Sequence, residues 1–283
     1  AKIWLPGTAS GKWNLSVPEL APIKPVENAT RIELPAPAEK HGWEKLYSLR
    51  LSESKQRVMV CLQGISSHTR LLLYDATNGK QLGQADFPEK YNVLDISDDG
   101  EQVLVGGNNY NDRDFVEIWS LSPRGIIRER GWSNKRDRSD FWSEVKAGIF
   151  VDDKRVLIFQ AERLTLWNTV TGMPLAVMAL KRISFGEPVY AYHPQAKLLA
   201  VQQGRELCVM EMNKGELVAS LTLSDDEIPN AVAWRPDAKQ LALRTTLNKL
   251  LILDATKGER VREVDLNEVA VPYRSTSKLD WPT

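Results

Sequence analysis

Five glycines, Gly79, Gly125, Gly172, Gly215 and Gly258, follow one another at separations of 46, 47, 43 and 43 residues. Each sits in the same local pattern. An alternating apolar run comes first, then a large residue and a polar one. A few turn residues lead to the glycine, and a second β-type run follows. The copies read "RLLLYDATNGKQLGQADF", "FVEIWSLSPRGIIRERGW", "RLTLWNTVTGMPLAVMAL", "LCVMEMNKGELVASLTL" and "KLLILDATKGERVREVDL". A fixed period of this size marks a repeat architecture, in which no single unit buries its own apolar surface.

A second hairpin pattern stands before each copy: "LRLSESKQRVMVCLQ", "LDISDDGEQVLVGG", "GIFVDDKRVLIFQ", "AYHPQAKLLAVQQ" and "AWRPDAKQLALRT". Ser, Asp, Pro and Gly occupy its turns, where they supply local hydrogen bonds, a preset φ or tolerance of positive φ. Each unit of about 45 residues therefore carries four short strands, the content of one propeller blade. The large residue closing the third strand is Tyr74, Trp119, Trp167, Met210 or Leu253, and Asp75, Ser120, Asn168, Glu211 or Asp254 follows it. The large residue is expected to pack between neighbouring blades. The polar one is expected to start the turn and cap backbone N–H groups.

"LLLYDATNGK", "LTLWNTVTGM" and "LLILDATKGE" resemble the Trp-Asp-x-x-Thr-Gly-Lys end of WD repeats. "AWRPDAKQLAL" and "DISDDGEQVLV" resemble the Ser-Pro-Asp-Gly turn shared by WD repeats and other bacterial propellers. The resemblance covers roughly residues 42–283. It departs from the WD pattern in lacking the Gly-His dipeptide and any full Trp-Asp pair, so the hydrogen-bond network of regular WD repeats is not available. The resemblance implies a degenerate WD-like propeller, with a non-WD bacterial propeller as the alternative.

The expected fold is all-β, a β-propeller of four-stranded antiparallel blades, with five full blades and partial blades at both ends. The blades fall at about 42–88, 89–134, 135–180, 181–224 and 225–267, and residues 268–283 begin the next, since Trp281-Pro282 aligns with Arg235-Pro236. Residues 1–13 read as outer strands of a preceding blade. Residues 14–41 read as a linker, because Pro18, Pro22, Pro25, Pro35 and Pro37 oppose helix and ladder pairing. Residues 29–35 are a candidate closing strand. On this reading the chain is a segment of a longer protein, and the remaining strands come from the parent chain or another subunit.

Composition narrows the function classes. Lys plus Arg is 37 and Asp plus Glu is 37, so no global charge draws the chain to nucleic acid or to an anionic membrane. No apolar run approaches the roughly 20 residues that span a bilayer. The expectation is a soluble chain; the cytoplasm is favoured and export is left open. Cys61 and Cys208 lie inside apolar runs and read as buried strand residues, outside any Cys-x-x-Cys motif. His41, His68 and His193 come from different segments without metal-ligand spacing. The pairs Asp98-Asp99, Asp152-Asp153 and Asp225-Asp226 read as turn or pre-strand residues rather than paired catalytic carboxylates. No cofactor or metal motif occurs.

Two stretches stand out as partner-contact candidates. Residues 108–115, "NNYNDRDF", read as a polar loop insertion and contribute Asn109, Tyr110 and Asp112. Residues 128–144, "RERGWSNKRDRSDFWSE", read as a long inter-blade loop and contribute Trp132, Arg136, Arg138 and Trp142. In the second stretch five basic residues (Arg128, Arg130, Lys135, Arg136, Arg138) meet four acidic ones (Glu129, Asp137, Asp140, Glu144), a net of +1 that is too small for strong phosphate binding. Trp and Arg together instead match the composition of protein-contact hot spots. The leading expectation is a non-catalytic scaffold for protein–protein contact. The competitors are an enzyme or small-ligand sensor with a site at the channel mouth, and a sensor segment of a larger bacterial protein.

Overall fold

The computed structural model describes residues 2–5, 30–35, 44–52, 56–64, 68–87, 91–109, 113–122, 125–135, 145–160, 163–181, 188–225 and 227–267. Among the described residues every regular element is a strand. Twenty of the 22 strands form five four-stranded sheets, and the first two form a sheet of their own. The fold is all-β with a repeated blade-like sheet. The chain divides into two compact units between Ser133 and Asn134.

In the first unit, β1 (Lys2–Leu5) pairs antiparallel with β2 (Thr30–Glu33), setting Trp4 opposite Arg31. Sheet 1 follows as β3 (Glu44–Ser52), β4 (Arg57–Gly64), β5 (Thr69–Asp75) and β6 (Gln81–Phe87), each hydrogen-bonded to the next. Sheet 2 repeats the order with β7 (Tyr91–Ile96), β8 (Gln102–Asn109), β9 (Arg113–Ser122) and β10 (Gly125–Lys135). In the second unit sheet 3 is β11 (Ala147–Asp152), β12 (Arg155–Phe159), β13 (Arg163–Asn168) and β14 (Met173–Ala179). Sheet 4 is β15 (Tyr190–His193), β16 (Leu198–Gln203), β17 (Glu206–Glu211) and β18 (Glu216–Thr222). Sheet 5 is β19 (Pro229–Trp234), β20 (Gln240–Thr245), β21 (Lys249–Asp254) and β22 (Glu259–Asp265).

The turn between third and fourth strands is built the same way in four sheets. The glycine N–H donates back to the carbonyl of the polar residue: Gly79 to Asp75 (2.9 Å), Gly172 to Asn168 (2.9 Å), Gly215 to Glu211 (2.8 Å) and Gly258 to Asp254 (2.9 Å). All four glycines have φ between 67° and 72°, the left-handed region that costs other residues about 1–2 kcal/mol. The polar side chain fills the turn. Asn168 Oδ1 accepts from the N–H groups of Val170 and Thr171, and Asp254 Oδ1 accepts from those of Thr256 and Lys257. Hydrogen bonds from the Thr77 and Thr256 hydroxyls, with backbone N–H groups, hold Asp75 and Asp254 below the usual carboxylate range. Sheet 2 differs. There β9 runs on to Ser122, so Ser120 lies within the strand instead of heading the turn.

The large residue of the third strand packs toward the preceding sheet. Leu253 shares a core with Leu207 and Val209 of sheet 4, and Met210 packs on the Ile149 and Phe159 core of sheet 3. Trp119 packs on Met59, Cys61 and Leu71 of sheet 1. Tyr74 packs on Ile32 and Leu34, so β2 covers sheet 1 where a preceding sheet stands for sheets 2, 4 and 5. Thr30 Oγ1 also donates to the Thr77 carbonyl at 3.1 Å, tying β2 to the third turn of sheet 1. Each fully buried Leu or Val in these seams contributes about 1.5–3 kcal/mol.

Polar connectors recur at matching positions. Ser52 ends β3 and donates to the Asp98 carbonyl in the first turn of sheet 2 at 2.8 Å. His193 ends β15, and its Nε2 lies 3.1 Å from the corresponding carbonyl, Pro236, of sheet 5. Its Nδ1 accepts from Ala196 N–H at 3.2 Å, which places the ring proton on Nε2. Arg57 opens β4 and donates to the carbonyls of Gly100 (2.8 Å) and Leu121 (3.3 Å) in sheet 2. Arg155 opens β12 and donates to the Met212 carbonyl of sheet 4 at 3.3 Å. Leu121 and Met212 hold the same repeat position.

Gly258 also needs its missing Cβ for a second reason, because an added Cβ would stand 2.5 Å from the Ser220 carbonyl oxygen of sheet 4. At Gly215 an added Cβ meets nothing within 4 Å. Gly258→Ala is therefore expected to cost about 2–4 kcal/mol, backbone strain plus overpacking, and Gly215→Ala only about 1 kcal/mol. Urea unfolding of both variants measures the difference; equal losses would remove the close sheet-to-sheet approach as a determinant of stability.

Candidate functional site

The most concentrated group of charged side chains with little exposure lies at one end of sheet 1. It follows from strand register. Glu44 opens β3 opposite Gly64, Leu46 lies opposite Leu62, Leu62 opposite Arg70, and Arg70 opposite Asp86. Because directly paired residues share a face and side chains alternate along a strand, Glu44, Arg70 and Asp86 lie on one face. His68 precedes β5, and its carbonyl accepts from Gly64 N–H at 3.0 Å.

Arg70 Nη2 is paired with Glu44 Oε2, and the two side chains are 8% and 2% exposed. His68 Nε2 stands 4.0 Å from Glu44 Oε1 and 3.6 Å from Asp86 Oδ1. Asp86 is the open member of the group, with a side chain 39% exposed. The cluster thus balances two carboxylates against a guanidinium and an imidazole. Burial pushes the Cys61 thiol up to about 11, and burial likewise raises Cys208. Both cysteines are buried strand residues, as their apolar surroundings imply.

The other polar groups singled out in the sequence are engaged locally. Asp99 accepts from Ser97 Oγ (2.6 Å) and Glu101 N–H (2.9 Å) in the first turn of sheet 2. Asp152 accepts from Lys154 N–H (2.9 Å) and Arg155 Nε (2.7 Å). Asp225 is paired with Arg205. Asp226 and His41 lie outside the described residues. Among the described residues no group of three or more His, Cys, Asp or Glu is arranged to hold a metal ion, and no helix is long and apolar enough to cross a membrane.

The contact candidates fall largely outside the described residues: Tyr110, Asp112, Arg136, Arg138 and Trp142 wholly so, and Asn109 and Trp132 for their side chains. The segments carrying them are nevertheless more ordered into strand than the sequence suggests. β8 ends at Asn109 and β9 begins at Arg113, with Asn109 paired to Arg113, so the ladder runs into the polar insertion from both sides. β10 continues to Lys135, so Arg128 to Lys135 form an outer strand and not a loop. Within it, Arg128 Nη2 lies 2.9 Å from Glu117 Oε1, while Trp119 Nε1 donates to Glu117 Oε2 at 2.9 Å. Gly131 leaves room for that pair, since a Cβ there would fall 2.7 Å from Arg128 Nη2. Glu129 accepts from Gln102 at 3.0 Å.

A second carboxylate–guanidinium group, missed by sequence reasoning, clips the start of sheet 5. Glu227 Oε2 accepts from Ser224 N–H (3.1 Å) and from Arg260 Nη2 (2.8 Å), and Arg260 Nη1 also reaches Glu263 (2.8 Å). Burial pushes the Glu227 carboxyl up, but hydrogen bonds from Ser224 and Arg260 outweigh it and hold the group below its usual range. No protein-family model matches the chain, and no curated protein is found similar to it.

Two predictions follow from these groups. Arg70→Met alone leaves a buried carboxylate and is expected to cost about 3–5 kcal/mol, whereas the double variant with Glu44→Leu recovers most of that loss. A double-mutant cycle in urea checks it, and additive losses would show that the two side chains do not act as a pair. For Glu227 the folded pKa is depressed, so its contribution is complete above the unfolded carboxylate value of about 4.3 and is lost as pH falls through the folded value. Glu227→Gln is expected to flatten the fall of stability with pH below about 4.5 while lowering stability at pH 7, as read from denaturation midpoints across that range.

Proposed function

We propose that the chain is a non-catalytic, WD-like β-propeller scaffold that presents its loops and channel face to a protein partner. The supporting observation is where its polar chemistry is used. Asp99, Asp152, His193, Arg57 and Arg155 are engaged in turns and sheet-to-sheet hydrogen bonds. The bond made by Ser52 between sheets 1 and 2 recurs at His193 between sheets 4 and 5, and that made by Arg57 between sheets 1 and 2 recurs at Arg155 between sheets 3 and 4. A repeat that devotes these residues to holding its sheets in step is suited to displaying a surface. In this reading residues 1–13 are outer strands of a preceding blade, residues 14–41 are a linker whose residues 29–35 supply a closing strand, and residues 42–283 form the propeller. The fold level of the reading is analogy, and the site level rests on the Trp and Arg content of residues 128–144.

The competing reading, an enzyme or ligand sensor at the channel mouth, calls for polar residues converging from several blades. The cluster of Glu44, His68, Arg70 and Asp86 comes from one sheet and lends that reading little support.

Changing Trp132, Arg136 and Trp142 together to Ala is expected to weaken recovery of the partner by about 30-fold or more, the effect of losing a hot spot, with the β circular-dichroism spectrum unchanged. The measurement is affinity capture from the cells that make the protein, followed by titration of the recovered partner. Undiminished capture by the folded variant would remove this stretch as the contact.

A further inference from the structure

The fourth strands are the outer edges of their sheets, and four of the five carry charge. β22 has Glu259, Arg260, Arg262, Glu263 and Asp265; β18 has Glu216, β6 has Asp86, and β10 has Arg128, Glu129, Arg130 and Lys135. Charge on an edge is the usual defence against pairing with another strand. β14 has none. Its sequence is Met-Pro-Leu-Ala-Val-Met-Ala, and the uncharged run around it extends from Leu164 to Leu180.

β14 is also the most openly apolar of these edges. Met173 is 62%, Leu175 52% and Val177 63% exposed, with Val170 in the adjoining turn at 65%. Counting from the turn glycine, the residues equivalent to Met173 are Lys80, Glu216 and Glu259, and those equivalent to Val177 are Gln84, Ser220 and Glu263. In sheet 2 the two positions are Ile126 and Arg130, so sheet 3 is the one sheet in which both have become apolar. β14 ends the order β11-β12-β13-β14, so its outer side carries no strand among the described residues.

We propose that this edge binds a second copy of the chain. Two β14 strands pair antiparallel about a two-fold axis at Ala176 and join two four-stranded sheets into one of eight. The choice of a second copy rests on charge and area. An axis at Ala176 sets Met173 against Ala179, Pro174 against Met178 and Leu175 against Val177. Lys181 falls opposite Thr171, so no like charges meet. The same operation on β22 would set Glu259 against Asp265 and Arg262 against itself, a destabilising arrangement. A charge-free, self-complementary edge needs no oppositely charged partner. The exposed apolar side chains offer on the order of 400 Å² per copy, which with the joined backbone reaches the low end of specific interfaces, about 1,000 Å² in total. Pro174 withholds one N–H donor from each strand, which keeps the association weak and favours a closed pair over longer aggregates.

Sedimentation of the full chain from about 1 to about 200 µM tests the proposal; the mass is expected to rise from 31.9 kDa toward twice that value, with a Kd of tens of micromolar. Val177→Lys, at an exposed site, is expected to raise Kd at least about 10-fold, while Val261→Lys on β22 leaves it unchanged. Ala176→Cys is expected to cross-link two copies under mild oxidation, because directly opposed Cβ atoms lie within disulfide reach about the axis, and Ala179→Cys is not. A chain that stays monomeric throughout, the outcome if the edge takes a strand from a different protein, overturns the proposal. So does a dimer indifferent to Val177→Lys, or preferential cross-linking at position 179.

Discussion

Everything in this fold depends on sheets that are apolar on both faces. In sheet 4, Leu199 and Val201 belong to the core shared with sheet 3, and Ala200 between them belongs to the core shared with sheet 5. Cys208 and Val209 divide in the same way. A sheet so built cannot stand alone, because covering one face still leaves the other in water. The same alternation appears in β4, where Met59 and Cys61 face sheet 2 while Val58, Val60 and Leu62 face β2. The fully buried Ile32 is therefore a structural requirement of sheet 1 and not an ornament of the linker.

Apolar packing alone does not decide how far one sheet is turned or slid against the next. The directional bonds do that. Ser52 and His193 differ in chemistry but occupy one repeat position, and each reaches the same carbonyl of the sheet that follows. Arg57 and Arg155 do the same one strand further along. Trp234 Nε1 returns a bond to the Ala191 carbonyl at 3.0 Å, and Tyr192 Oη reaches back to Val151 at 3.0 Å. Since buried carbonyls must be satisfied, a slipped seam would leave them without donors. His193, one of the three histidines weighed as chemistry in the sequence, is among the residues that hold this stagger.

The repeated parts of the architecture were legible in the sequence because each is encoded by a residue with a stereochemical reason to be there. Gly79, Gly172, Gly215 and Gly258 mark left-handed positions, and Asp75, Asn168 and Asp254 fill the turns that precede them. What lay hidden depends on contacts far apart in sequence. Nothing local in "TRIELP" says that it pairs with Lys2–Leu5 and covers Tyr74. The Glu44–Arg70 pair needs three strands in register before the two charges meet. Charged and Asn-rich stretches misled in the other direction. Asn108, Asn109 and Arg113, like Arg128 to Lys135, look like parts of solvated loops, yet they continue ladders whose partners supply the pairing that local propensity does not.

The outer strands bring these threads to the question of function. The inner strands are fixed by the demand for two buried faces, and the first turns by the stagger between sheets. Among the described residues, the exposed positions of the fourth strands are those most free to vary without unpicking a seam. Their variation is not random in character. β22 carries alternating charges anchored by Arg260 between Glu227 and Glu263, β10 spends Arg128 on buried Glu117, and β14 presents an uncharged apolar edge. In a repeat whose core positions are dictated by packing, departures from the repeat at positions without packing duties are where a distinct binding role can be written. β14, stripped of charge, is such a departure, and residues 128–144 stand apart in sequence by their Trp and Arg content. A scaffold reading accommodates both, because a set of blades offers separate surfaces that can be altered one at a time.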